Sequence, residues 1–291
     1  MENILKNYIE NLKINWQHEP FPHAIIDDFL PQENFLKVVA GLNEVKNFKD
    51  IKTHFSSYLE QNKKVYGDED LNDILKLPIN ITGGPDIKKI FKNFLNIDYL
   101  MSLADVPNYG GYYPFHVMEN KGFLGAHVDH GHNKDFSKLH VANSIYYVSK
   151  EWKESWGGET LFLNSSGTKI VKKISPLPNR LVIFIHSAKS FHAVNTISCP
   201  ESIQRMTYYM DYYTHDKNIQ QIYKNTKNLK YSYHPTTFVP FFPLGIKNFK
   251  FEYLFKKKNF FYLRLFFIYT FLRFLINYKF SKYLISLFRK K

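Results

Sequence analysis

The chain has 291 residues, and its 44% hydrophobic and 22% charged content sits near the globular average, which excludes wholesale disorder. One cysteine, Cys199, excludes a disulfide scaffold and any multi-cysteine zinc or iron–sulfur site. The net charge of +13 suggests a nucleic-acid partner, but residues 241–291 hold twelve Lys or Arg against one acid, Glu252, so the first 240 residues carry only +2 and no nucleic acid is expected.

The length suits one large catalytic domain with appendages, or two small domains. The first sixteen residues carry acids and no long apolar core, so a secretory leader is not expected and a reducing, cytosolic setting fits. Ile4, Tyr8 and Leu12 recur at helical spacing. His23–Asp27 reads as a short strand, Pro31 as a turn, and the next residues as a helix ending near Gly41. Residues 45–100 read as mixed and helical in parts. Within them IKKIFKNFLN, from Ile87, is an amphipathic helix behind the breaker Gly83-Gly84-Pro85.

The character changes between Tyr109 and Thr214. Runs rich in Val, Ile, Tyr, Phe and Thr alternate with Gly, Pro, Asn and Ser clusters: YYPFHVME, GAHVDH, HVANSIYYV, GETLFL, KIVKKI, RLVIFI, FHAVNTI and RMTYYMDYYT. Eight such runs predict a mainly β fold with flanking helices, a barrel or a double-sheet jelly roll. No βα alternation or Gly-rich phosphate loop is present, so a Rossmann or P-loop enzyme is not expected. These shifts divide the chain into an N-terminal helical and mixed support (1–108), a β core (109–215), a linker marked by Pro235, Pro240, Pro243 and Gly245 (216–245), and a basic, aromatic helical segment (246–291).

The sharpest chemical feature is Gly125-Ala126-His127-Val128-Asp129-His130. Residues i and i+2 of a strand share a face, so His127 and Asp129 can reach one metal. His192, in KSFHAV on another expected strand, is the candidate third ligand. Two His and one carboxylate on one face leave three positions open, the pattern of non-haem Fe(II) oxygenases. His130, His132 and His140 are solvated loop histidines or an alternative zinc site. Arg205 opens RMTYYMDYY, where Arg205, Thr207, Tyr209 and Asp211 share a face. A buried Arg there calls for an anion. A dicarboxylate could chelate iron at one end and meet Arg205 and the Thr207 hydroxyl at the other. The alternative is a structural pair with Asp211. Asn143 and Tyr147, on one face of HVANSIYYV, offer two further polar groups.

In KGFLGAHVDH, SIYYVSKEWKESWGGETLFL, ISPLPNRLVIF, SFHAV and the RMT strand, the chain resembles the Fe(II)/2-oxoglutarate-dependent oxygenase superfamily, in its prolyl 4-hydroxylase-like branch of bacterial type. PFPHAIIDDFLP resembles the lead-in of that branch, so the likeness spans roughly residues 20–215. The resemblance implies a double-stranded β-helix, with His127, Asp129 and His192 as iron ligands and catalytic centre. Arg205 is implied for the distal carboxylate of 2-oxoglutarate, with Thr207, Tyr147 and Asn143 beside it. It implies Fe(II), 2-oxoglutarate and O2, with ascorbate a further candidate, and hydroxylation of a C–H bond as 2-oxoglutarate goes to succinate and carbon dioxide. The substrate would be a small metabolite, a glycan component or a peptidyl proline, met by groups such as His116, Glu119 and His130. Asp129 speaks against halogenation, since related halogenases lack this carboxylate. Two other classes stand beside this reading: a non-catalytic cupin-like ligand-binding module, and a zinc-dependent hydrolase using the His127–His140 cluster.

Residues 241–291 hold 18 of the 51 aromatics. Residues 260–278 are long enough to span a bilayer, but Arg264 and Arg273 offset their apolar content. An interfacial anchor on anionic lipid is favoured over a packed helical extension and over a span. That reading places a cytoplasmic enzyme at the inner membrane face.

Overall fold

Alternation of apolar residues and the positions of Gly, Pro and Asn account for most of the elements. The computed structural model describes residues 8–44, 52–53, 60–67, 71–106, 113–133, 138–215 and 236–239. In chain order these form β1 (His23–Ile26), α1 (Gln32–Glu44), β2 (Lys52–Thr53), β3 (Glu60–Tyr66), α2 (Asp73–Thr82), α3 (Pro85–Leu95) and β4 (Met101–Ser102). There follow β5 (Phe115–Val128), β6 (His132–Asn133), β7 (Lys138–Tyr147), β8 (Thr160–Leu163), β9 (Ile170–Ile174), β10 (Arg180–Ile185), β11 (His192–Val194), β12 (Arg205–Thr214) and β13 (Thr237–Phe238).

Local chemistry sets the helix ends. Asn72 caps α2 by accepting from Leu75 N at 3.0 Å. Pro85 starts α3, and Asn96 ends it in the left-handed conformation (φ 52, ψ 53). Ile87, Phe91 and Leu95 recur every four residues and are buried. Helix α1 runs past Gly41, which the sequence suggests as its end. A Cβ there would lie 3.3 Å from Leu75 Cδ2, so this glycine lets α2 approach rather than stopping α1.

The sheet is antiparallel, ordered β1-β10-β7-β12-β5-β11-β8-β9. It folds over at β5, one strand where the sequence shows two runs. Phe115–Met118 pair with β12, whereas Leu124 and His127 pair with β11. At the bend Lys121 has φ 64, and a Cβ on Gly122 would lie 2.7 Å from Glu119 O. The result is two facing four-stranded sheets, a double-stranded β-helix of the jelly-roll kind, with β1 extending the first. From the N-terminal region, β1, β3 and β4 pair with β10, β5 and β12 respectively.

Alternation sorts the side chains. On the outer face of the first sheet Tyr146, Leu181, Ile183, Tyr208, Met210 and Tyr212 join one cluster with Phe29, Phe35, Val38, Leu75 and Phe91 from the helical layer. The next residues along β7, β10 and β12 face inward. Ile145, Tyr147, Val182 and Phe184 meet Phe162 and Ile174 of the second sheet. The inward positions of β12 and of the end of β5 are polar, and they make the site.

Candidate metal centre

Register brings the ligand candidates together. His192 of β11 sits opposite His127 of β5, and their rings lie 4.3 Å apart. Asp129 follows two residues after His127 on the same face. Its Oδ1 is 3.4 Å from His127 Nε2, and its Oδ2 is 3.4 Å from His192 Nε2. One donor atom from each residue falls within 4.8 Å of the others.

The tautomers follow from the backbone. His127 Nδ1 donates to Gly125 O at 2.9 Å, and His192 Nδ1 donates to Ser190 O at 3.1 Å. A carbonyl oxygen only accepts, so both Nδ1 atoms carry hydrogen and both Nε2 lone pairs face the carboxylate. Ser190 is itself fixed, its Oγ donating to Ser187 O at 2.8 Å. Burial, then the neighbouring His127, pushes His192 down to about 4, so it is neutral at pH 7 and its lone pair is open to a metal. Burial works against charge on Asp129, but positive charge on its His192 and His127 side outweighs it and holds the carboxyl well below the usual range. Two imidazole lone pairs and an anion converging on one point are stable with a cation between them. Two nitrogens and one oxygen suit Fe(II). Tyr209 Oη donates to Asp129 Oδ2 at 3.1 Å, and Asn143 Nδ2 lies 3.4 Å from the same oxygen and 2.8 Å from Asp211 Oδ1.

A cavity of about 260 Å³ lies against these residues and extends to Arg205. Its walls include Thr160, Thr207, Tyr209 and Ile145. Arg205 is 3% exposed. Its Nε donates to Gly158 O at 2.8 Å and one Nη to Thr160 Oγ1 at 3.1 Å, while the other faces Met118 Sδ at 3.9 Å. Among the described residues no carboxylate forms an ion pair with it, and burial pushes the guanidinium below its ordinary value. Gly158, at φ +70, makes the approach possible, for a Cβ there would lie 2.9 Å from Trp152 Cζ2 and 3.3 Å from Arg205 Cδ. Tyr147 does not line the cavity. Its ring lies 5.1 Å from the guanidinium, and its hydroxyl pairs with Thr160 Oγ1 at 2.6 Å. Thr160 and Tyr209 are contributions that sequence patterning missed, because each acts across strands.

The alternative pairing of Arg205 with Asp211 is not what forms. Asp211 Oδ1 lies 3.2 Å from His140 Nε2. His140 Nδ1 donates to His130 O at 2.8 Å, and its Nε2 also meets Ala142 O at 3.1 Å. Both nitrogens face carbonyl oxygens, so both carry hydrogen. Burial opposes this charge, but Asp211 outweighs it and raises the His140 pKa. His130 Nε2 meets Tyr213 Oη at 2.8 Å, and that hydroxyl donates to Asp211 Oδ2 at 3.0 Å. Both His140 nitrogens are thus taken up by backbone carbonyls, which counts against His140 as a zinc ligand; the side chain of His132 lies outside the described residues. His116 and His130 line the cavity, whereas Glu119 pairs with Lys64.

No helix among the described residues is long and apolar enough to cross a membrane. The proposed lipid anchor at 246–291 lies outside the described residues.

A family model for the 2OG-Fe(II) oxygenase superfamily matches residues 113–211, which include His127, Asp129, His192 and Arg205. Similar solved structures include a prolyl-4-hydroxylase from Pseudomonas putida, 12% identical over 67% of this chain and 92% of that one, TM-score 0.49. Another is a prolyl hydroxylase from Trichoplax adhaerens, in complex with a hypoxia inducible factor peptide fragment, at 18% over 69% and 86%, TM-score 0.44. A third is HygX from Streptomyces hygroscopicus, with nickel, 2-oxoglutarate and hygromycin B bound, at 8% over 74% and 93%, TM-score 0.46. A search of curated proteins gives no match.

Proposed function

We propose, from the match of residues 113–211 to the 2OG-Fe(II) oxygenase family model, that this chain is such an oxygenase, that it holds Fe(II) on His127, Asp129 and His192 and 2-oxoglutarate on Arg205, and that it hydroxylates a substrate C–H bond. The observation that carries this is the convergence of two Nε2 lone pairs on one carboxylate, in a cavity that also reaches a buried guanidinium with no ion-paired carboxylate among the described residues. With 2-oxoglutarate and O2, bound Fe(II) supplies the oxidant, while 2-oxoglutarate goes to succinate and carbon dioxide.

The chain's own residues do the rest. The Gly125 and Ser190 carbonyls orient the two imidazoles. Tyr209 and Asn143 hold Asp129 through its Oδ2. Arg205, with Thr160 and Thr207 beside it, meets the distal carboxylate in a buried site where a charge-assisted bond is strong. The apolar layer of Ile145, Phe162 and Phe184 excludes water behind it.

The substrate enters past Lys63, Val65, Tyr113, His116 and Leu124. Among the described residues the lysines at this mouth are already paired: Lys63 with Glu60 at 2.9 Å, and Lys64 with Glu119. His116 stacks on Tyr209 at 5.5 Å. We therefore read the substrate as an uncharged polar group recognised by stacking and hydrogen bonds. A glycan component, a peptidyl proline or a neutral metabolite fits that wall.

The test is succinate formation from 2-oxoglutarate with Fe(II) and O2. The wild-type chain should turn over slowly without substrate, and Asp129→Ala and His192→Ala should abolish it. Normal turnover by either variant with iron bound would remove that residue from the centre.

A further inference from the structure

The stretch beyond β12 reads in sequence as a linker, yet Thr237, Phe238 and Val239 are built onto β5 beside the metal centre. Thr237 and Phe238 form β13, which pairs with β5 at Val128 and His127. Val239 N donates to Ala126 O at 2.7 Å. The Val239 side chain is buried with Phe123, Ala126, Leu161, Leu163 and Phe191 on the outer face of the second sheet. Gly167, at φ +72, makes room for it, since a Cβ there would lie 2.7 Å from Val239 Cγ2 and 2.8 Å from Phe191 Cδ1. The slot is therefore shaped to this segment. Across the register, the Phe238 ring lies 5.1 Å from the His127 imidazole with 24° between the planes.

We propose that Phe238 is a positioning residue for the iron: it holds the plane of the His127 ring, and docking of residues 236–239 is thereby coupled to metal occupancy. This rests on the reading of His127 as an iron ligand. The Nδ1 bond to Gly125 O fixes one edge of the imidazole, but a single hydrogen bond leaves the ring free to tilt about that axis. A flat ring stacked in register removes the tilt and keeps Nε2 aimed at the Asp129 side. Groups that orient a ligating imidazole commonly change metal affinity by ten- to a hundredfold when removed. Coupling is reciprocal, so a metal that fixes His127 also steadies the strand stacked on it.

The experiment titrates the full chain with Fe(II) alone under anaerobic conditions, by equilibrium dialysis, beside Phe238→Ala, Phe238→Tyr, His127→Ala and Leu163→Val. Phe238→Ala should bind Fe(II) about tenfold more weakly, and Phe238→Tyr, which keeps the ring, should restore wild-type affinity. Leu163→Val loosens the same apolar cluster without touching the imidazole, so it should lower Tm and leave Fe(II) affinity unchanged. Fe(II) should slow hydrogen exchange at the Val239 amide in the wild type and not in Phe238→Ala. Equal affinity of Phe238→Ala and wild type, or a Leu163→Val loss as large as that of Phe238→Ala, overturns the inference. Binding that His127→Ala leaves intact overturns the ligand assignment instead, so the two failures are distinct.

Discussion

Two clusters of the same residue types lie side by side here, and they do opposite things. His127, Asp129 and His192 leave two imidazole nitrogens with lone pairs, whereas His130, His140 and Asp211 leave none on His140. The difference is a count of carbonyl oxygens. His127 and His192 each meet one, at Nδ1. His140 meets one at each nitrogen and becomes a cation paired with Asp211. Residue type and spacing nominate a metal site, but hydrogen-bond partners decide whether a histidine can bind.

The largest effects should separate the clusters outright. His127→Ala should remove Fe(II) binding and 2-oxoglutarate turnover at any practical concentration of metal. His140→Ala should keep one Fe(II) per chain and cost about 3–5 kcal/mol of stability, since it leaves Asp211 buried without its cation. Metal analysis together with thermal unfolding reads both. Loss of iron stoichiometry from His140→Ala would merge the clusters into one site.

The ion pair also sets a pH window. The His140 pKa is raised in the folded chain, so its stabilisation is full below the unfolded value near 6.5 and is lost as pH rises through the folded value. The Asp211 pKa is lowered: burial opposes the charge, and His140 outweighs it. Its stabilisation is present above the unfolded value near 3.9 and is lost as pH falls through the folded one. The Tm difference between wild type and Asp211→Asn should therefore be greatest at about pH 4–6.5 and shrink on the alkaline side. A difference that grows above pH 8 would mean that His140 is neutral in the fold.

Arg205 is the next step down. Arg205→Ala should raise KM for 2-oxoglutarate by roughly ten- to a hundredfold, the worth of one buried charge-assisted hydrogen bond or a little more, while Fe(II) affinity holds. An unchanged KM would leave the guanidinium a structural group.

The clusters also show how much was legible from the sequence. The strand pattern was readable because it is local, and the nomination of His127, Asp129 and His192 rests on equally local features: i and i+2 on one strand, and a His at the start of another. The role of His140 was not, because its deciding partners are backbone oxygens of His130 and Ala142. Strand β3 was hidden by Glu60, Lys63 and Lys64, which break the alternation yet pair with one another and with Glu119. Thr160 was hidden because its value lies in a guanidinium on a strand 45 residues away. Gly157-Gly158 was visible as a feature, but the need for it, the close approach of Trp152 and Arg205, exists only in three dimensions.

Tyr147 gives the smallest and most discriminating effect. The resemblance implies a tyrosine whose hydroxyl helps the distal carboxylate, yet here that hydroxyl is turned to Thr160 Oγ1, the atom that accepts from Arg205. Burial also pushes the Tyr147 pKa up, so it stays a neutral phenol. Tyr147→Phe keeps the ring over the guanidinium and removes the hydroxyl that supports Thr160 and Arg205. It should raise KM for 2-oxoglutarate by about two- to tenfold, the range of one neutral hydrogen bond. Tyr147→Leu, which removes the ring as well, should approach the Arg205→Ala value. If Tyr147→Phe alone reaches the Arg205→Ala value, the hydroxyl rotates to the cosubstrate on binding, and the role implied by the resemblance is the operative one.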